Sequence, residues 1–157
     1  MSTYWISGGP GYLGTALTKW LLESGHKVRT YSRNEHSIEA LQKSLSLHAG
    51  SLSCHVGAVE DAQRIRRSMT GADYCIHAAA MKVVPIAEYD PWGCINTNVV
   101  GTHNVLEAAI DVWGKAAVFI GTDKASAAAT LYGASKLAAE RLWLGGNRYS
   151  PAGTRFM

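Results

Sequence analysis

Tyr132 and Lys136 stand four residues apart in the run Tyr132-Gly133-Ala134-Ser135-Lys136, a spacing that puts both side chains on one face of a helix. A phenol with a pKa near ~10 is a poor base at neutral pH, and an ammonium beside it favours the phenolate and lowers that value. Just upstream, Thr122-Asp123-Lys124 adds a hydroxyl, a carboxyl and an amine. Together these residues read as acid–base equipment. Each also has a plainer explanation: the Tyr/Lys spacing arises by chance, and an adjacent Asp and Lys is the usual form of a solvated surface pair. The elements that would have to position them decide between the two.

The candidate residues sit around the end of a strand expected over Ala116–Ile120 and the start of a helix expected over Leu131–Leu144, closed by Gly145-Gly146. At the other end of the chain, a β-prone run Thr3–Ser7 meets Gly8-Gly9-Pro10-Gly11-Tyr12-Leu13-Gly14. A helical pattern follows, with Leu13, Leu17, Trp20, Leu21 and Leu22 on its apolar side, ending near Gly25. Strand, glycine loop and helix in that order form a dinucleotide-binding fingerprint, here spaced Gly-x-x-Gly-x-x-Gly through Gly8, Gly11 and Gly14. Glycines allow a tight turn and let backbone approach a pyrophosphate; the helix start, at Tyr12 and Leu13, offers unpaired N–H groups and a positive dipole end. A second strand over Lys27–Ser32 ends in Ser32-Arg33, where an NAD site would usually hold an acidic residue. Arg33 suits a ribose 2′-phosphate, which favours NADP over NAD; the nearby Glu35 keeps NAD open, and a solvated cation is the plainer reading of Arg33.

Further along, a helix is expected over Ser37–Leu47, a strand over Leu52–Gly57 and a helix over Asp61–Met69. A buried strand from Asp73 to His77 breaks into Ala78-Ala79-Ala80, small residues that leave room for a flat ligand or allow close helix–sheet packing. Met81-Lys82-Val83-Val84-Pro85 is expected as a loop beside the site. The longest helical stretch runs from Pro91 to Val112, and Asn98 within its apolar face must be solvent-facing or hydrogen-bonded near the cofactor. This alternation predicts a single α/β domain over residues 1–157: a doubly wound parallel sheet of the Rossmann type, about five strands in the order 3-2-1-4-5.

Composition excludes several classes. The chain is 47% hydrophobic and 17% charged with a net charge of +3, so it has material for a core and no basic excess for nucleic acid. Arg64, Arg66 and Arg67 read as one solvated helix face. No apolar run approaches the ~18 residues of a membrane span, and the first residues lack a signal-peptide pattern. Cys54, Cys75 and Cys94 are odd in number and lie in apolar context, as reduced core cysteines of a cytoplasmic protein do. The six histidines show no metal-ligand spacing, so no metal is expected.

Taken together, these residues resemble the extended short-chain dehydrogenase/reductase family, and within it the inverting UDP-N-acetylglucosamine 4,6-dehydratases of surface-polysaccharide and flagellin-sugar pathways. The resemblance rests on His77-Ala78-Ala79-Ala80-Met81-Lys82, Asn96-Thr97-Asn98-Val99-Val100-Gly101-Thr102, Thr122-Asp123-Lys124-Ala125 and Tyr132-Gly133-Ala134-Ser135-Lys136. The Asp123-Lys124 pair is its discriminating part, since related epimerases and reductases more often carry Ser or Thr there. The resemblance implies that Tyr132, its pKa lowered by Lys136, takes the proton from the sugar 4-hydroxyl while hydride leaves C4 for NADP. Lys124 then acts as base at C5, Asp123 protonates the departing 6-hydroxyl, and hydride returns to C6. It also places Met81 and Lys82 near the sugar or nicotinamide and Thr122 beside the reacting centre, with UDP-N-acetylglucosamine as the expected substrate.

Three departures stand against it. Ala58 replaces an Asp that usually contacts adenine, Ala127-Ala128-Ala129 replaces a more polar loop, and the sequence stops where a sixth strand and the nucleotide-sugar-gripping C-terminal region would begin. An exposed fifth strand is therefore expected to drive homo-oligomerisation (dimer or tetramer) through the Pro91–Val112 and Leu131–Leu144 helices, with Trp92, Trp113 and Trp143 as candidate anchors. Two alternatives to the dehydratase remain: a non-catalytic NADP-binding module, and a small-carbonyl reductase needing only Tyr132 and Lys136.

Overall fold

In strand β1 (Thr3–Ser7) the neighbours Trp5 and Ile6 are both fully buried, yet they serve opposite faces. Trp5 joins a cluster with Ile65, Met69, Leu106 and Trp143, while Ile6 joins Leu21, Leu22, Val28 and Leu41. A strand whose alternate residues both find apolar partners needs helices on both sides. In the computed structural model, which describes residues 1–157 apart from Trp113, Ala127, Tyr149 and Ala152, that is the arrangement. The expectations placed on Trp113 and Ala127 lie outside the described residues.

Strands β2 (Lys27–Ser32), β3 (Leu52–Val56), β4 (Tyr74–His77), β5 (Ala116–Phe119) and β6 (Arg155–Phe156) complete a parallel sheet in the order β3-β2-β1-β4-β5-β6. Helices α1 (Tyr12–Glu23) and α2 (Glu35–Ser44) supply the Ile6 cluster; α3 (Ala62–Met69), α6 (Gly101–Asp111) and α7 (Leu131–Gly145) supply the Trp5 cluster. Strand order reverses between β1 and β4, which pair with Ser7 opposite His77, and a crevice opens beyond their C-terminal ends. Asn34 caps α2, Asp61 caps α3 and Thr130 caps α7 through side-chain oxygens. The start of α1 has no such cap.

The expected sheet is correct through its fifth strand and then continues. Phe156 is 3% exposed and meets the Trp143 ring edge-on at 5.5 Å, and the Asn147 side chain bonds both the N–H and the C=O of Phe156. So β5 is not an exposed edge, and Trp143, fully buried, is a core residue rather than an interface anchor. Support for self-association narrows to exposed Trp92, Val100 and Leu144.

Other corrections are local. The loop expected over Met81–Pro85 gives way at Val84 to a short helix, α4 (Val84–Tyr89), and Pro85 falls in its first turn, where a missing N–H costs nothing. The Pro91–Val112 stretch is helical but divided into α5 (Pro91–Ile95), a π turn at Asn96–Val100, and α6. On α1, Leu13 and Trp20 face outward at 41% and 62% exposure. The inward face is Gly14, Thr18, Leu21 and Leu22, because only Gly14 lets the helix sit against the preceding loop.

Candidate dinucleotide groove and catalytic helix

Gly8 turns the chain with φ +71°, and a Cβ there would lie 2.9 Å from the Ala79 nitrogen. The Gly11 N–H closes the turn onto the Gly8 carbonyl at 2.9 Å. A Cβ at Gly14 would lie 2.3 Å from the Gly8 oxygen and 2.5 Å from the Gly9 oxygen. These glycines press the start of α1 against the strand tips, and that start has neither a capping side chain nor an acidic residue in its first turn. Uncapped N–H groups and a positive dipole end at a groove suit a pyrophosphate.

Two cavities share Gly8, Gly11, Ala78, Ala80 and Lys82 and so form one groove across the strand ends. The larger part, about 470 Å³, reaches Ser32, Arg33, Asn34 and Thr97; the smaller, about 160 Å³, takes in Tyr12, Leu13 and Gly14 and ends at Gly121, Tyr132 and Lys136. Ala79 also lines the larger part, so the small-residue run after β4 forms the groove floor. Ser32, Arg33, the glycine loop, Ala78 to Ala80, Lys82, Tyr132 and Lys136 thus come together from segments far apart in sequence. Asn98 does not line the groove. It is 1% exposed, behind the wall, where its side chain clamps the Met81 backbone at 2.8 and 3.0 Å and donates to Ser135 Oγ at 2.9 Å.

At the wide end, Arg33 Nη1 stands 3.9 Å from Glu60 Oε1, while Thr97 Oγ1 donates to the same oxygen at 2.5 Å. Glu60 Oε2 is buried with no partner among the described residues. Ala58 offers no side-chain acceptor, and its carbonyl accepts the Tyr31 hydroxyl at 2.9 Å. Burial, with the Asp61 carboxylate adding to it, pushes the Tyr31 phenol up to about 12, so it remains a donor.

At the narrow end, Tyr132 is 8% and Lys136 4% exposed. Lys136 Nζ donates to the Ile120 carbonyl at 2.7 Å and lies 3.8 Å over the Phe119 ring centroid. Burial brings the ammonium down to about 8 against the opposing pull of Glu140, so at neutral pH it stays mainly charged. Asp123 and Lys124 follow β5 in a single 3₁₀ turn (Asp123–Ala125), with Lys124 Nζ 3.4 Å from Asp123 Oδ1 and side-chain exposures of 57% for Lys124 and 87% for Asp123. Thr122 Oγ1 donates to Asp123 at 3.1 Å; that bond, then the Lys124 charge, holds the carboxyl below its usual range. None of these three side chains lines either cavity.

Sequence reasoning did not find Ser7, Thr102 and Ser135, which join His77 and Asn98 in a buried polar cluster. For Ser7 and His77 the available signal was a polar residue at the end of an apolar strand; Thr102 and Ser135 lie within helices and gave none. Burial, with Lys136 adding to it, takes the His77 imidazole down to about 3. The unfolded chain, with an ordinary value near ~6.5, therefore binds the proton first, so stability is full above about pH 6.5 and falls as pH drops toward 3. Urea midpoints between pH 7 and 4 should show that fall, and His77→Gln should flatten it; equal slopes in both proteins would contradict the assignment.

A glycine loop opening α1, small residues after β4 and a Tyr/Lys helix after β5 define an α/β domain of the short-chain dehydrogenase/reductase type. The chain belongs to the polysaccharide biosynthesis protein family, whose model matches residues 5–157. It is 40% identical over 144 residues to the inverting UDP-N-acetylglucosamine 4,6-dehydratase of Campylobacter jejuni, covering 90% of this chain and 42% of that protein. It is 36% identical over 156 residues to the UDP-glucose 4-epimerase of Rickettsia rickettsii, covering 96% of this chain and 45% of the epimerase. Among solved structures, Pen from Bacillus thuringiensis superposes with a TM-score of 0.95 at 32% identity, over 99% of this chain and 48% of Pen. The chain thus spans less than half the length of these relatives. No helix among the described residues is long and apolar enough to cross a membrane.

Proposed function

We propose that this chain carries the cofactor site and acid–base residues of an NADP-dependent nucleotide-sugar dehydratase of the UDP-N-acetylglucosamine 4,6-dehydratase type. The observation that carries the reading is the single groove that begins at the glycine loop and ends at Tyr132 and Lys136. The uncapped start of α1 would hold the pyrophosphate, and Ser32 and Arg33 the adenosine ribose with its 2′-phosphate. A bound dinucleotide supplies a hydride acceptor that is restored within each turnover.

Tyr132 would take the proton of the sugar 4-hydroxyl, with the Lys136 ammonium at the same end of the groove. Lys124 would remove the C5 proton and Asp123 protonate the departing 6-hydroxyl, with Thr122 holding a hydroxyl nearby and Lys82 at the groove wall. For that chemistry Lys124 must be neutral and Asp123 protonated, the reverse of the exposed ion pair. One proton passed from Lys124 to Asp123 makes both competent, and a sugar that covers the pair favours this by removing water from two charges. A non-catalytic dinucleotide-binding module is the second reading, favoured by the open position of Asp123 and Lys124.

The test is incubation with UDP-N-acetylglucosamine and NADP, with mass spectrometry for loss of one water. The dehydratase reading expects that product and its loss, by on the order of 10²-fold or more, in Lys124→Ala. Tight NADP binding with no product supports the module; NADPH oxidation by simple aldehydes would instead mark a carbonyl reductase.

A further inference from the structure

Behind the groove runs a chain of buried hydrogen bonds in which the neighbours of His77 fix where the imidazole hydrogen sits. Thr102 Oγ1 lies 2.6 Å from the Asn98 carbonyl, which only accepts, so the Thr102 proton is committed there. Its oxygen must then accept from His77 Nε2, 2.9 Å away, so Nε2 carries the imidazole hydrogen. At the other ring nitrogen, Ser7 Oγ lies 2.6 Å from Nδ1. Ser7 Oγ also accepts from the Ala79 N–H at 3.2 Å and from the Ala78 N–H at 3.1 Å, the latter shared with the Ser7 carbonyl at 3.1 Å, so its own proton goes to the bare Nδ1. The ring is fully buried and packs beside Phe119 and Trp143, with centroids 5.8 and 5.7 Å away. Either alternative, a hydrogen on Nδ1 or a doubly protonated ring, would aim a third donor at Ser7 Oγ.

The two amides held this way belong to the groove floor, and the Ala79 nitrogen is the atom that a Cβ on Gly8 would strike. At its far end the chain reaches Asn98, whose side chain donates to Ser135, and Ser135 Oγ donates to the Tyr132 carbonyl at 2.8 Å. We infer that His77 is a positioning residue for dinucleotide binding: as the Nε2–H tautomer it aims Ser7 at the Ala78 and Ala79 amides and ties the groove floor to the first turn of the helix bearing Tyr132. This rests on the dinucleotide reading above.

Three measurements on the whole chain test it. Long-range ¹H–¹⁵N spectra between pH 5 and 8 should show His77 protonated at Nε2 alone. Ser7→Ala and His77→Phe, which keep shape and lose the bonds, should speed hydrogen exchange at Ala79, whose N–H is held by Ser7 Oγ, about tenfold or more and weaken NADP binding about tenfold, the cost of one such bond. His77→Gln, which retains a donor and an acceptor, should recover part of both. An Nδ1–H or doubly protonated ring, unchanged exchange in Ser7→Ala, or faster exchange with unchanged NADP affinity would overturn the proposal while leaving dinucleotide binding intact. A wild-type chain that binds no dinucleotide at all would overturn both.

Discussion

On the dehydratase reading proposed above, Tyr132→Phe should lower turnover of the nucleotide-sugar by about 10²- to 10⁴-fold while leaving NADP affinity within about threefold, because it removes only the oxygen that would exchange the proton. The ring stays in its buried setting against Ala87 and Cys94, so the first turn of α7 keeps its packing. Lys136→Met differs in kind. It removes the cation at the narrow end of the groove and its bond to the Ile120 carbonyl at the end of β5, so activity and NADP affinity should fall together. Steady-state rates and calorimetric affinities on the same preparations separate the two. Equal turnover by Tyr132→Phe and the unaltered chain would remove the phenol from the mechanism.

Gly14→Ala should damage both folding and dinucleotide binding. The added carbon would fall 2.3 to 2.8 Å from three backbone atoms of Gly8 and Gly9, and backbone there cannot step aside without opening the Gly8 turn against Ala78 and Ala79. Overpacking of this kind costs about 1–3 kcal/mol. The displacement also lifts the uncapped end of α1 from the groove, so NADP affinity should drop about tenfold or more, a loss of at least ~1.4 kcal/mol in binding. Gly25→Ala is the control: its φ is +80° and nothing lies within 4 Å, so it should cost stability through backbone strain and leave affinity alone. Thermal melts and NADP titrations of both variants check this; equal affinity losses would detach the glycine loop from dinucleotide binding.

The parts legible in the sequence were those written in local pattern. Strand β2 falls on Lys27–Ser32 as expected, because alternating residues are bounded by a helix-ending glycine and a polar exit. The doubly wound order followed from alternation of strands and helices alone. What escaped depends on partners distant in the chain. Strand β6 is two residues long and exists because Trp143 covers Phe156 and Asn147 caps its outer edge. The inward face of α1 runs through Gly14 and Thr18 rather than Leu13 and Trp20, a choice made by contact with the loop and not by hydrophobicity. The cluster of Ser7, His77 and Thr102 spans separations that no spacing rule reaches.

The site divides the same way. The groove residues were legible because glycine loops and small residues at strand ends have a direct steric reason. Asn98 posed a choice between solvent and a hydrogen bond near the cofactor; it is instead buried behind the groove wall, bonded to the Met81 backbone. Asp123 and Lys124 carry the right chemical types but stand in solvent, since a covering surface is a property of partners and not of the residues themselves.

The most direct test is a crystal of this chain soaked in NADP. The dinucleotide should lie along the C-terminal strand ends with its pyrophosphate on the Gly11–Gly14 turn, its 2′-phosphate at Arg33 and its nicotinamide in contact with Tyr132 and Lys136. An empty groove at saturating NADP, or a dinucleotide bound away from Tyr132, would contradict the account.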